Sequence, residues 1–138
     1  MKYENRGKIE YRERARQIID FSGLRYGNIT PTDVDGLIEY QNKCIIFLEY
    51  KYDDAKMPRG QELALERIVD DIQNGGKECA LMVCSHKVQN CEKDIDAATA
   101  KVVRLYWHGK WYDYQEKKTV KERVDNYLEW VDKGCPPF

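Results

Sequence analysis

Five consecutive apolar residues, Cys44-Ile45-Ile46-Phe47-Leu48, run directly into Glu49-Tyr50-Lys51, and this junction constrains the chain more than any other segment. A strand with one face in water alternates apolar and polar side chains. An unbroken apolar run instead predicts a strand covered on both faces, near the centre of a sheet. Charged residues ending such a strand are costly to bury unless something uses them. At 138 residues the chain is long enough to bury a core of this kind within one domain.

The segments on either side fit that centre. Helical spacing of Tyr11, Ala15, Ile18, Ile19 and Ser22 predicts a first helix over Lys8–Ser22, stopped by Gly23. A short strand is expected over Arg25–Ile29, then a turn at Thr30-Pro31-Thr32-Asp33. Strands follow at Val34–Tyr40 and Cys44–Tyr52. Gln61, Leu65, Ile68, Val69 and Ile72 form the stripe of a helix over Arg59–Asn74, ended by Gly75-Gly76. Glu78–Ser85 reads as another buried strand and Lys87–Asp96 as a polar loop. Lys101–His108 and Trp111–Gln115 predict a hairpin about a II′ turn at Gly109-Lys110. Thr119-Val120-Lys121-Glu122 is a capping box opening a last helix, with Val120, Val124, Tyr127, Leu128 and Val131 on its buried face and Gly134 and Pro136 at its end. The expected fold class is therefore α/β, a mixed sheet flanked by helices, as one domain over residues 1–138. Its core spans about 8–86, and the C-terminal hairpin and helix about 100–134.

Charge placement on the two firm strands points to chemistry. If Gln41-Asn42-Lys43 is a three-residue loop, residue 40 pairs with 44 and Asp35 falls opposite Glu49. Directly opposed side chains lie roughly 4.5–5.5 Å apart at Cβ. A two-residue loop would put the two acids on opposite faces. Lys51, two residues after Glu49, shares its face. Two carboxylates this close repel when ionised, and a hard divalent cation, Mg²⁺ or Mn²⁺, relieves that repulsion. A bound metal lowers the pKa of water and stabilises charge on a phosphate, and an adjacent ammonium helps to neutralise it. These are the parts of a metal-dependent phosphodiesterase. The competing reading is a cross-strand salt-bridge set on an exposed sheet, and an E-x-K triplet alone carries little weight against it.

Thr30-Pro31-Thr32-Asp33-Val34-Asp35-Gly36 followed by Phe47-Leu48-Glu49-Tyr50-Lys51 resembles the PD-(D/E)XK nuclease superfamily, and Gln61 resembles a helical glutamine found in several of its branches. The resemblance implies a restriction-endonuclease-like αβββαβ core. It implies metal binding by Asp35, Glu49 and the Tyr50 carbonyl, with Lys51 as the catalytic lysine and Gln61 beside it. Asp33 also competes for the motif's aspartate; Asp35 is preferred for its register, with Asp33 assisting from the loop. Relatives often add a first-helix glutamate: Glu13 points away from the apolar stripe and Glu10 flanks it, so Glu10 is the candidate, against a reading as solvated helix surface. The implied activity is hydrolysis of DNA phosphodiester bonds, as an endonuclease on duplex or branched DNA. The alternative is a catalytically silent module on the same fold that binds nucleic acid or protein.

A formal net charge of −1 excludes a polycationic nucleic-acid coat, so contacts to DNA must come from local clusters. Arg12 and Arg16, one turn apart, and Lys56 and Arg59, after Lys51, are the candidates. Tyr106, Trp107, Trp111, Tyr112 and Tyr114 make the hairpin aromatic, for base stacking, core packing or a homodimer surface. Neither a leader-like segment nor a membrane-length apolar run is visible, so a soluble, cytoplasmic protein is expected. Five cysteines then read as reduced thiols. A zinc site from Cys84, His86 and Cys91 lacks the paired spacing of a zinc knuckle.

Overall fold

The computed structural model describes residues 7–15 and 17–134, which divide into two units meeting between Asp33 and Val34. The first unit carries little regular structure. Its helix, α1, is a single turn at Arg12–Ala15, not the expected Lys8–Ser22. Short helices are held mainly by burial of an apolar face, and the face expected here stays in solvent: Tyr11, Ile18 and Ile19 are 65%, 79% and 77% exposed. Local competition adds to this, because the Ser22 amide and hydroxyl both donate to Asp20 Oδ1, at 3.0 and 2.7 Å. The strand expected over Arg25–Ile29 is instead a tight turn. Tyr26 and Ile29 exchange backbone hydrogen bonds across Gly27, whose φ of +65° suits glycine.

The second unit is a mixed five-stranded sheet in the order β1-β2-β3-β4-β5, with a helix on each face. Its strands are β1 (Gly36–Tyr40), β2 (Cys44–Tyr52), β3 (Glu78–His86), β4 (Lys101–Trp107) and β5 (Lys110–Asp113). The helices are α2 (Arg59–Asn74) and α3 (Val120–Lys133). β2 and β3 run parallel, joined through α2, and every other neighbouring pair is antiparallel. β2 is central and covered on both sides, as its apolar run requires. Cys44, Ile46 and Leu48 join Met82, Leu105, Val120, Val124 and Tyr127 on the α3 face. Phe47, with Ile45 beside it, joins Leu65, Val69, Leu81 and Val83 on the α2 face. Ile68, expected in the α2 stripe, is 43% exposed.

Two turns fix the register. Tyr40 pairs with Cys44 around Gln41-Asn42-Lys43, and Gln41 and Asn42 both adopt left-handed backbone, with φ of +50° and +60°. The β4–β5 turn is one residue earlier than expected. Trp107 pairs with Lys110, and His108 and Gly109 both have positive φ, the signature of a type I′ turn instead of a II′ turn at Gly109-Lys110. The capping box forms: Thr119 Oγ1 accepts from the Glu122 amide at 3.1 Å, and Glu122 Oε1 accepts from the Thr119 amide at 3.1 Å. Gly134, at φ +75°, closes α3 in the left-handed conformation; Pro136 and Cys135 lie outside the described residues. Among those residues no helix is long and apolar enough to cross a membrane.

Candidate functional site

Strand alternation carries the α2 face of β2 from Ile45 through Phe47 to Glu49 and Lys51, so the apolar run delivers two charged residues beneath the start of α2. Glu49 is only 2% exposed. Lys51 Nζ lies 3.1 Å from Glu49 Oε1 and donates to Gln61 Oε1 at 3.3 Å. Gln61 stands in the first turn of α2, the position from which its side chain reaches back over the strand end. The second oxygen of Glu49, Oε2, is buried and has no hydrogen-bond partner among the described residues.

Asp35 enters from the other side of the hairpin. The last β1–β2 rung is Gly36–Leu48, and one further step places Asp35 across from Glu49. Beyond that rung the Tyr50 amide has no β1 backbone to meet. It donates to Asp35 Oδ2 at 2.7 Å. Oδ1 of Asp35 carries no hydrogen bond to the described residues. Burial raises the Glu49 pKa above the ordinary 4.5, and the Asp35 charge raises it further; the Lys51 ammonium and Gln61 amide pull it partly back. The two acids therefore repel across the hairpin, and one lysine and one amide compensate only in part.

Asp35, Glu49, Lys51 and Gln61 are thus brought together, with the backbone of Tyr50 between the two acids. The Tyr50 side chain points to the opposite face, where its hydroxyl donates to the Ala97 carbonyl at 3.1 Å. The remaining expected residues divide between the two units. Arg59 is held by Glu62 and Glu66, at 2.6 and 3.1 Å, within its own helix. Glu10, Arg12 and Asp33 belong to the first unit, and Arg16 lies outside the described residues. Of the hairpin aromatics, Tyr106 is buried, Trp107, Trp111 and Tyr114 pack into the two cores, and Tyr112 is 40% exposed.

Among the described residues no group of three His, Cys, Asp or Glu side chains is arranged to hold a metal ion. Cys84 is fully buried, its thiol pushed up to about 12 chiefly by that burial, while Cys91 is exposed. The Cys84–His86–Cys91 reading has no support in this arrangement. The Asp35–Glu49 pair is a different case. Mg²⁺ commonly takes one or two carboxylates and completes its shell with water and phosphate oxygens. A buried carboxylate oxygen without a donor, across from a second carboxylate, fits that requirement.

Sequence reasoning did not find the cations beyond Lys51 and Lys56. A cleft of about 790 Å³ opens at Lys51 and is also lined by Lys56, Lys87, Arg104 and Lys117. They come from four separate segments, and no local pattern marks them. Comparison with protein-family models, with curated proteins and with solved structures finds no match to the chain.

Proposed function

We propose that this protein is a divalent-metal-dependent nuclease of the PD-(D/E)XK type, hydrolysing phosphodiester bonds of duplex or branched DNA. One observation carries the reading. Glu49 is buried with an unpartnered carboxylate oxygen, across the hairpin from Asp35 and beside Lys51 and Gln61. A purely structural ion pair would satisfy both oxygens; this one leaves the oxygen a cation would take.

Asp35 and Glu49 would hold Mg²⁺ or Mn²⁺, with the Tyr50 carbonyl as a further ligand. Bound there, the metal would supply a more acidic water and charge stabilisation at the phosphate. The chain's own residues do the rest. Gln61 fixes the direction of the Lys51 ammonium, which then offsets negative charge growing on the phosphate. Burial of Glu49 keeps that ammonium in a medium of lower dielectric, where it acts more strongly than in water. The restriction-endonuclease-like core belongs to the same proposal. The order β1, β2, α2, β3 supports it, while a single turn at Arg12–Ala15 and a tight turn at Tyr26–Ile29 stand where the expected first helix and strand would be. A homodimer, which would give a second DNA-binding surface, belongs to the same proposal.

The silent-module alternative has one observation in its favour. Asp35 already has a structural role, capping the Tyr50 amide. Incubation with linear, supercoiled and branched DNA in Mg²⁺, Mn²⁺ or EDTA decides between them. The expected result is metal-dependent cleavage that is lost in Lys51→Ala and Asp35→Ala. Cleavage that persists in EDTA or in both variants overturns the mechanism, and no cleavage of DNA or RNA favours the silent module.

A further inference from the structure

The two edges of the sheet are finished differently. β5 is four residues long and bounded by the charged Lys110 and Asp113. Such charges discourage a further strand from pairing there. β1 is the other edge. Gly36–Tyr40 carries neither lysine nor proline, and its ladder to β2 runs over all five residues without a bulge. The direction of its hydrogen-bonding groups follows from β2. The Tyr50 amide points toward β1, where it meets Asp35, so the Leu48 and Ile46 amides, at steps of two, point the same way. Their partners Gly36 and Ile38 therefore bond inward. The backbone N–H and C=O groups of Leu37 and Glu39 face out, and among the described residues no further strand meets them.

One face of β1 is open as well. On the α3 face Ile38 and Tyr40 pack against the core, and the Tyr40 hydroxyl donates to Asp132 at 2.7 Å. On the α2 face Leu37 is 57% exposed. α2 is docked toward the far strands: Glu66 accepts from Trp111 Nε1 at 3.1 Å, and Asp70 accepts from the Tyr106 hydroxyl at 2.8 Å. At roughly 100° of turn per residue, Ile68 stands on the opposite flank of α2, toward β1, and it is 43% exposed. Leu37 and Ile68 thus leave apolar surface beside an unpaired edge.

We infer that β1 pairs antiparallel with β1 of a second copy, about a two-fold axis at Ile38, joining the two sheets into one. The charges choose the register. Setting Leu37 opposite the partner's Glu39, and Glu39 opposite the partner's Leu37, pairs every outward group of the strand and opposes no like charges. Sliding two residues one way sets Glu39 against the partner's Glu39, and sliding the other way sets Asp35 against it. In the chosen register the two Leu37 side chains meet diagonally, at the roughly 7–8 Å separation of such neighbours. A β1–β1 contact closes on itself, whereas β1 on the β5 edge of another copy would propagate without end. Both α2 helices then lie on the same face of the joined sheet. With a rise of about 3.4 Å per residue and strands about 4.8 Å apart, the two Glu49 positions are about 25 Å apart on that face. The inference rests on the nuclease reading for its use: it gives the proposed homodimer an interface, and each copy then addresses one strand of a duplex.

Short paired strands make a small interface and hence a weak, reversible pair. Sedimentation velocity of the full chain in EDTA, over about 1–200 µM, should therefore show a monomer–dimer equilibrium that moves with concentration. Leu37→Glu sets an acid against the partner's Glu39 twice and should weaken the dimer at least about tenfold. Leu37→Glu/Glu39→Lys opposes unlike charges in the same register and should restore it. Both positions are exposed, and circular dichroism verifies that the variants fold. Hydrogen exchange locates the contact: the Leu37 and Glu39 amides should exchange several-fold more slowly as concentration rises. A chain that stays monomeric leaves the edge to some other strand and overturns the inference. So does a dimer indifferent to Leu37→Glu, a double variant that stays monomeric, or β1 amides that exchange at one rate at every concentration. A β1-paired dimer without metal-dependent cleavage rejects the nuclease reading alone; metal-dependent cleavage by a chain that stays monomeric rejects this inference alone.

Discussion

The Tyr50 amide donates to Asp35 Oδ2 at 2.7 Å, where the β1–β2 ladder has already ended at Gly36–Leu48. A side chain here takes over the next rung of a sheet, and that bond fixes a carboxylate across from Glu49. Asp35 therefore serves both the end of the hairpin and the candidate site, and substitution separates the two roles.

Asp35→Asn keeps an oxygen for the Tyr50 amide and removes the repulsion with Glu49, so unfolding by urea should show unchanged or increased stability. Cleavage should fall by at least about a hundredfold, as for loss of a group acting on transition-state charge. Asp35→Ala should lose cleavage equally and also about 1 kcal/mol of stability through the orphaned amide. An active Asp35→Asn enzyme would remove Asp35 from the site.

Glu49 sets a pH dependence with a definite sign. Its folded pKa is raised, chiefly by burial, so from 4.5 upward the native state holds a proton that the unfolded chain has released. Stability from this group is complete below that window and is lost as pH rises through the raised value. Glu49→Gln should thus gain stability relative to the parent at about pH 8 but not at about pH 4.5, in paired denaturant titrations. Mg²⁺ at about 100 times its dissociation constant should stabilise the parent by about 2.7 kcal/mol and leave Glu49→Gln unchanged. Equal metal responses would rule out Glu49 as a ligand.

Lys51 and Glu49 form a largely buried pair, 3.1 Å apart with side chains 21% and 3% exposed. Lys51→Met leaves the carboxylate without its ammonium and should destabilise the fold at neutral pH, recovering toward pH 5 as Glu49 takes up a proton. In a double-mutant cycle with Glu49→Gln the coupling should be about 1–3 kcal/mol. A coupling near zero would show that the pair has no energetic meaning.

Thr119 opens α3, whose Val120, Val124 and Tyr127 are buried in the core on one face of the sheet. Thr119→Ala should cost about 1 kcal/mol of stability, while Thr119→Ser should restore it. Because the cap belongs to α3 and not to the β2 end, calorimetry should record that loss with cleavage per folded molecule unchanged.

The central strand, α2, the Thr119 box and the Asp35–Glu49 register were legible in the sequence because each depends on local chemistry. Five apolar residues in a row need burial on both faces, and a three-residue loop at Gln41-Asn42-Lys43 fixes which residues face each other. Tyr11, Ile18 and Ile19 carry an equally clear helical period and still form no helix beyond Arg12–Ala15, because periodicity names a face but supplies nothing to cover it. The turn at His108-Gly109 differs by one residue from the expectation for the same reason: register was decided by pairing Trp107 with Lys110 across the sheet.

The junction of Cys44–Leu48 with Glu49-Tyr50-Lys51 was determined by the sequence itself, since alternation alone sends Glu49 and Lys51 to one face. Only the tertiary structure decided that Glu49 lies 2% exposed with one oxygen unpartnered. The same holds for Gln61 reaching Lys51, and for Lys51, Lys56, Lys87 and Lys117 lining one cleft. Burial and charge clustering are sums over residues distant in the chain, and the packing of β2, β3 and α2 performs that sum.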